Sequence, residues 1–392
     1  MLRSLFSGIS GLRAHQQMMD VTGNNIANVN TTGFKSAQAV FQDTLSQMVN
    51  AAGAPQPQAG GTNPAQVGLG VRMASINSNF TQGAAQTTGK SSDMMIQGDG
   101  FFVVKSNGES LYTRAGAFTF DGNGSLTTPN GQIVQGWIAN NGVVNTAGAP
   151  GNIKLPIGIS LAPTPTTSMT FTGNFSYEAV AGDYKDIPVT VYDAAGASKP
   201  LLVRFTKQAA PADTWAVSMP NEVPAPAPQN VTFVGGKPTV TALTMNGYNL
   251  DITDCTQYSG LTESRVSNSD GSGAGVLSSY TVSNTGQIVG VFSNGLKQTL
   301  GQLALANFNN VNGLEKIGDS MYRSTVNSGL AQVGAAGSGG LGLISSGMLE
   351  MSNVDLAQEF TNLVIAQRGF QANSRIITTS DEILQELVNL KR

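Results

Sequence analysis

The stretch "DVTGNNIANVNTTGFKS", residues 20–36, decides how the chain is read. A helix-patterned N-terminus runs straight into Asn24, Asn25, Asn28 and Asn30, with Gly23 and Gly33 among them. Asn and Gly weaken helices and favour turns and left-handed backbone. The stretch thus sets the question of why a helix-patterned start runs into such punctuation. Upstream, Leu2, Leu5, Ile9, Leu12, Gln16, Met19, Gly23 and Ile26 alternate spacings of three and four, a coiled-coil seam with two gaps.

The far end answers in kind. Leu356, Leu363, Phe370, Ile377 and Leu384 recur every seven residues, with Phe360 and Val388 at the second seam position and Leu387 beside them. Gln367, Ser374 and Asp381 also fall on that second position. Asn353 or Ser352 suits the cap, Asp355 and Glu359 the first turn, and Lys391 and Arg392 the end. From Asp355 to Leu390 such a helix runs about 50 Å. Neither narrow-striped helix is stable alone. The two are expected to pair as a terminal hairpin, and the pair to pack against identical pairs from other subunits.

Between the ends the texture is β. Residues 35–68 read as an extended linker, the Ala/Gly/Pro/Gln-rich residues 50–68 as a tether. From Leu69, short apolar runs alternate with Asn-Gly, Asp-Gly and Pro-Asn-Gly turns, the signature of hairpins. Gly-Gln-Ile-Val occurs at 131–134 and again at 286–289. Residues 69–142 and 280–353 are therefore read as one inner β-domain interrupted by an outer one, 143–279. The latter carries strand-like runs such as "IPVTVYD", "KPLLVRFTK" and "TWAVSM". The expected fold is multidomain α+β: paired, coiled-coil-like terminal helices (1–34 and 354–392) and two nested, mainly-β domains.

Composition narrows function. Charged residues make up 11 % of the chain, against about 25 % in an average soluble domain. The net charge of −3 provides no basic footprint for nucleic acid. One Cys (Cys255) and one His (His15) leave no disulfide and no His/Cys metal cluster. No apolar run reaches the length of a membrane span. Ser7, Gly8, Ser10 and Gly11 interrupt the stretch after Arg3, so no cleaved secretory signal is expected.

Enzymatic readings fail on their parts. "DGNGS", 121–125, begins like a calcium loop, but Leu126 and Gln132 stand where Gly and Glu are required, so a turn is the better reading. "GSGAGVLSS", 271–279, lacks the strand, Lys and helix of a phosphate cradle. His15 lies off the apolar seam with no nucleophile motif near it and reads as a solvated or interfacial imidazole. Asp381, Glu382 and Glu386 read as a solvated helix face. No catalytic, metal or cofactor site is expected.

With these parts in view, the sequence resembles the bacterial flagellar hook proteins, within the wider family of flagellar axial proteins that includes the rod proteins. The resemblance rests on "SGLRAHQQMMDVTGNNIANVNTTGFKS" at the start and "LEMSNVDLAQEFTNLVIAQRGFQANSRIITTSDEILQELVNLKR" at the end. The segments "IQGDGFFVV" and "YTRAGAFTFDGNGSL" match as well. In the N-terminal signature Asn24, Asn25, Ala27, Asn28, Gly33 and Phe34 carry the motif. Phe34 either anchors the start of the tether or fills a local pocket.

The resemblance implies a subunit that polymerises through its terminal helices into a curved tube, a universal joint carrying torque from rod to filament. The large middle segment favours a hook over a rod protein. A distal-rod protein and a secreted β-rich adhesin are the alternatives. Implied partners are further copies of the chain, rod and hook–filament junction proteins, a hook cap and the flagellar type III export apparatus, with export uncleaved. Phe41 and Leu45 fit a Phe-x-x-x-aliphatic export element, or pack locally. Some spirochaete hooks cross-link a Cys to a Lys of the neighbouring subunit, which makes Cys255 a cross-link candidate; a buried small hydrophobe is the alternative.

Overall fold

The computed structural model describes residues 2–55, 60–140, 142–155, 160–211 and 213–389; the side chains of Leu2 and Leu387 lie outside the description. Lys391 and Arg392, expected at the helix end, also lie outside the described residues. Helix α1 spans Leu2–Ala27 and helix α2 spans Leu356–Asn389. The chain divides into two compact units, Met1–Leu155 with Thr281–Val289 and Thr299–Arg392, and Pro156–Tyr280 with Gly290–Gln298.

In the first unit α1 and α2 pack antiparallel: Gly8 lies against Ile377, and Asn25 of α1 reaches Glu359 of α2. Paired terminal helices beside a β-rich body are thus the observed architecture. The body is built on strands Phe101–Ser106, Glu109–Thr113, Ile133–Asn140 and Lys297–Asn307. Phe101, Val103, Tyr112, Trp137, Ala304, Ala306, Phe308 and Tyr322 form one of its apolar cores. The repeated Gly-Gln-Ile-Val opens a strand from a turn both times, with Gly131 and Gly286 at positive φ (85° and 76°).

The expectation of an extended linker over 35–68 is corrected. Strands β1 (Ala37–Asp43) and β4 (Val71–Ser78) pair antiparallel, and β2 (Ser46–Asn50) pairs β3 (Ala65–Gly68) beyond them. A Gly53–Thr62 bridge extends the ladder. The segment is a long two-stranded arm; of the tether, residues 56–59 lie outside the described residues. Every residue of β2 and β3 is exposed. A strand with both faces in solvent has no in–out alternation to read, which is why the pattern looked structureless.

The inserted unit is a two-sheet β-sandwich. One sheet orders Ala242–Met245, Tyr248–Tyr258, Ser168–Ser176 and Glu263–Ser269, with the middle pair parallel. The other orders Tyr184–Tyr192, Ser198–Lys207, Thr214–Ser218, Gln229–Val234 and Lys237–Pro238. Their inward residues, including Phe171, Phe175, Phe205, Trp215 and Cys255, form one core.

Candidate assembly site: the terminal helices and the knot at their base

The α1–α2 seam is tighter and more polar than the apolar pattern foretold. Ala14, Thr22 and Asn25 of α1 and Ala366 and Ser380 of α2 are buried. Small residues permit the close approach: a Cβ on Gly11 would sit 2.7 Å from Asn373 Oδ1, and one on Gly369 would strike the His15 ring. His15 therefore packs on the seam and not off it, half-buried, with its ring centroid 6.1 Å from that of Phe41.

Of the residues expected to line the seam, Leu5, Ile9, Leu12, Met19, Ile26, Leu363, Phe370, Ile377 and Leu384 are half-buried. Leu356 and Phe360 are not covered: Phe360 is 52 % exposed, and Val364, Ile365, Ile376, Ile383 and Val388 join it at the surface. One helix partner cannot cover a stripe this wide. Sequence reasoning missed the small residues because they carry no apolar signal. Their spacing at Asn362, Ala366, Gly369, Asn373 and Ser380 held the clue.

At the base of the pair three Asn of the opening stretch, Asn24, Asn25 and Asn28, each have a physical task. Asn28 Nδ2 donates to the Asn24 carbonyl at 2.9 Å and to Asn24 Oδ1 at 3.0 Å, winding off the last turn of α1. Asn25 imitates a strand: its Nδ2 donates to the Ala37 carbonyl and its Oδ1 accepts from Ala37 N, at 2.8 and 3.0 Å. The same Nδ2 reaches Glu359 Oε1 at 3.1 Å, so one side chain ties α1, β1 and α2 together. Ala27 is the last helical residue and is exposed.

The α2 cap differs from expectation. Asp355 Oδ1 accepts from Ala357 N and Gln358 N, at 2.9 and 3.3 Å. Asn353 serves elsewhere, accepting from Ser36 N at 2.8 Å and donating to the Asn79 and Thr81 carbonyls. It is a second Asn strapping the chain that leaves α1 to the chain that enters α2.

Between these straps lies a buried ionic knot. Gly33, at φ 67°, donates its N–H to the Glu350 carbonyl at 2.7 Å, and a Cβ there would collide with Ala115 N. Phe34 is buried, with Lys316 Nζ 4.0 Å from its ring centroid. Lys35 Nζ donates to Glu350 Oε1 at 2.6 Å and to the Thr81 carbonyl at 2.7 Å. Gly83 N also donates to Glu350 Oε1, and Arg114 Nη1 stands 3.5 Å from Oε2, an ion-pair contact longer than a good hydrogen bond. Burial pulls the Lys35 ammonium and the Arg114 guanidinium below their ordinary values, and the Glu350 carboxylate works against that pull.

The remaining candidates are placed as follows. Phe41 is half-buried in β1, opposite Met73, whereas Leu45 between β1 and β2 is 83 % exposed. Cys255 is fully buried in the sandwich core, and burial pushes its thiol up to about 12.

Comparison with known proteins meets this geometry segment by segment. A model of the flagella basal body rod protein matches residues 5–35, one of the flagellar hook protein FlgE/F/G D1 domain residues 95–176, and one of the flagellar basal body rod FlgEFG protein C-terminal region residues 345–390. The flagellar hook protein FlgE of Borreliella burgdorferi is 39 % identical, covering 100 % of both chains. The chain belongs to the flagellar hook protein family. FlgE of Salmonella typhimurium is 36 % identical over 99 % of this chain and 100 % of that one. The basal-body rod protein FlgG of Bacillus subtilis is 34 % identical over 100 % of both. Among solved structures, Helicobacter pylori flagellar hook protein FlgE2 covers 68 % of this chain and 100 % of its own with a TM-score of 0.52, and at 15 % identity that likeness concerns the fold. The hook-family chain is a structural subunit of the flagellar hook, and the rod and adhesin alternatives are not favoured.

Proposed function

We propose that this hook-family chain polymerises through the surface its own helix pair leaves uncovered. The observation that carries the reading is the band of exposed apolar side chains on α2, from Phe360 to Val388, outside the seam with α1. A solitary chain gains nothing from an apolar band in water, whereas copies packed side by side bury it at about 25 cal/mol per Å². The arm presents a second such surface, with Leu45, Met48, Val49, Val67 and Leu69 exposed. Non-closing, head-to-tail repetition of these contacts yields a tube.

The tube acts as a curved universal joint carrying torque from rod to filament. Residues 1–34 and 354–392 form its polymerisation domain. Low surface charge lets the β units of neighbouring copies slide as the tube turns, without breaking strong ion pairs. Rod, junction and cap proteins meet its ends, and the chain leaves the cell unfolded through the flagellar type III apparatus. Phe41 and Leu45 serve as the export element; exposure of Leu45 and the half-burial of Phe41 suit recognition before the arm folds.

Electron microscopy of the concentrated full chain tests this, with circular dichroism before and after concentration. Curved tubes are expected from the wild type and none from V364D/I365D, whose substitutions lie outside the seam. Straight tubes, or equal assembly of the variant, would overturn it.

A further inference from the structure

The inserted sandwich differs at its two ends, and each end leaves apolar surface uncovered. One end carries the loop after strand Thr214–Ser218, "PNEVPAPAP", residues 220–228. Val223 is 93 % exposed, and Pro224, Ala225, Ala227 and Pro228 are exposed with it. Proline fixes its own φ and drives the residue before it toward extended backbone. Alternating Ala and Pro therefore hold residues 223–228 as an extended strand poor in N–H groups, and residues 225–228 join neither helix nor sheet. The foot of the loop is fastened: Glu222, buried, accepts from Lys199 Nζ at 2.8 Å and from Asn246 Nδ2 at 3.0 Å.

The other end holds a cleft of about 460 Å³. Trp215, buried, lines it, together with exposed Tyr184 and with Leu261, which is 78 % exposed. The Arg204 guanidinium stands 4.5 Å from the Tyr184 ring centroid and is itself gripped by Asp186, which stiffens that wall. The register fixes where loop and cleft stand. Strand Ser198–Lys207 begins beside the loop, where Lys199 meets Glu222, and ends beside the cleft, where Lys207 pairs Trp215. The eight residues from Lys199 to Lys207 span about 26 Å at 3.3 Å each. The loop does not reach the cleft of its own sandwich.

Aromatic-walled grooves receive proline-rich strands because such a strand is ordered before it binds and brings carbonyls with few competing N–H groups. We propose that residues 223–228 of one copy seat in the Tyr184–Trp215–Leu261 cleft of a second copy of this chain. Charge agrees: Lys199 stands half-exposed at the foot of the loop, and the cleft lining carries Glu178 and Asp183 against Lys185. The two surfaces differ and lie at opposite ends, so each copy gives one and receives one, and the contact repeats without closing. A six-residue strand covers less than the about 1,200 Å² of a stable pair. The contact therefore forms where the tube already sets copies side by side, and it parts without breaking a strong ion pair as they slide. The inference rests on the assembly reading above and adds to it a partner surface on the inserted unit.

Disulfide mapping in the full chain tests it. In a Cys255→Ala background, Val223→Cys and Leu261→Cys place one thiol on each surface. Oxidation of assembled material is expected to give 223–261 links between subunits, seen as a ladder of oligomers on a denaturing gel. Oxidation of the dilute chain is expected to give none. Links of 223 to 223 or of 261 to 261, or no links in assembled material, would overturn the inference.

Charged substitution gives a second readout. V223D and L261K alter exposed side chains, so thermal melting is expected to be unchanged. Each alone is expected to raise the critical concentration for pelleting about tenfold, the scale of one aliphatic side chain lost from a contact. The V223D/L261K chain is expected to assemble near the wild-type concentration, the new ion pair replacing the lost apolar one. If the wild type forms tubes and neither single variant differs from it, this inference alone falls. If the wild type fails to polymerise, the assembly reading falls, and this inference with it.

Discussion

Lys35 Nζ lies 2.6 Å from Glu350 Oε1 with neither side chain exposed, which fastens the residue just beyond α1 to the residue just before α2. Terminal helices that bear load need a fixed base. A buried ion pair is a poor source of net stability but a strict specifier of geometry, because a misplaced partner leaves a bare charge in the interior. The Thr81 carbonyl and the Gly83 N–H complete the coordination, so the chain leaving α1, the loop after β4 and the entry to α2 share one polar centre.

Removing one partner is therefore expected to do more harm than removing both. Glu350→Ala leaves Lys35 and Arg114 buried together with no carboxylate between them. It should lower unfolding stability by about 3–5 kcal/mol, the scale for breaking a buried pair. Glu350→Leu combined with Lys35→Met should lose much less than the sum of the two single changes. Urea denaturation of the four forms completes the double-mutant cycle; additive losses would show that the pair is not coupled.

Two glycines near the end of α1 should respond oppositely to Ala. Gly33→Ala forces a side chain into φ 67° and against Ala115 N, so it should destabilise by well over ~1 kcal/mol and block assembly. Gly23 lies within α1 with nothing within 4 Å of the position its Cβ would take. Gly23→Ala should stabilise by roughly 0.5–1 kcal/mol. Thermal melting of both variants separates the turn requirement from mere helix propensity.

How much of this was legible follows from the kind of signal each residue emits. The half-buried Leu5, Ile9, Leu363 and Ile377 are apolar and periodic, so both helices and their pairing could be read. Gly11, Asn25, Gly369 and Asn373 also bring the helices together, but small and polar side chains look like surface in a hydrophobic pattern. The sandwich strands were visible because Tyr184–Tyr192 and Ser198–Lys207 alternate buried and exposed positions. The arm was not, because β2 and β3 have no buried face. Lys35 sat in a recognisable motif, yet its role depends on Glu350, and no local pattern links partners that distant.

Acid should weaken the inserted sandwich in one identifiable place. Arg204 grips Asp186 through two bonds, Nε to Oδ1 at 2.6 Å and Nη2 to Oδ2 at 2.8 Å, and the hydrogen bond holds the carboxyl below its ordinary value. A carboxyl depressed in the folded state adds stability above its unfolded pKa of about 3.9 and loses it as pH falls through the folded value. Asp186→Asn should therefore be less stable than wild type at neutral pH. The gap should close below about pH 4 as the wild-type carboxyl protonates. Trp215 fluorescence in a Trp137→Phe background reports the transition, and a gap independent of pH would count against the pairing.

Cys255 should behave as a core residue and not as a cross-linking nucleophile. It is fully buried among the sandwich side chains, and burial, with Asp254 and Asp251 adding to it, raises the thiol to about 12. Thiolate is the reactive form, so at pH 8 the folded chain offers almost none, and what exists is shielded. A thiol reagent should modify the folded protein only as fast as the sandwich opens, and should take one equivalent at once in concentrated urea. Assembled material dissolved in denaturant should return to monomer mass. Covalent dimers joined through Cys255 would mean that the strand Tyr248–Tyr258 leaves the core during assembly, and that the thiol meets its neighbour before the sandwich closes over it.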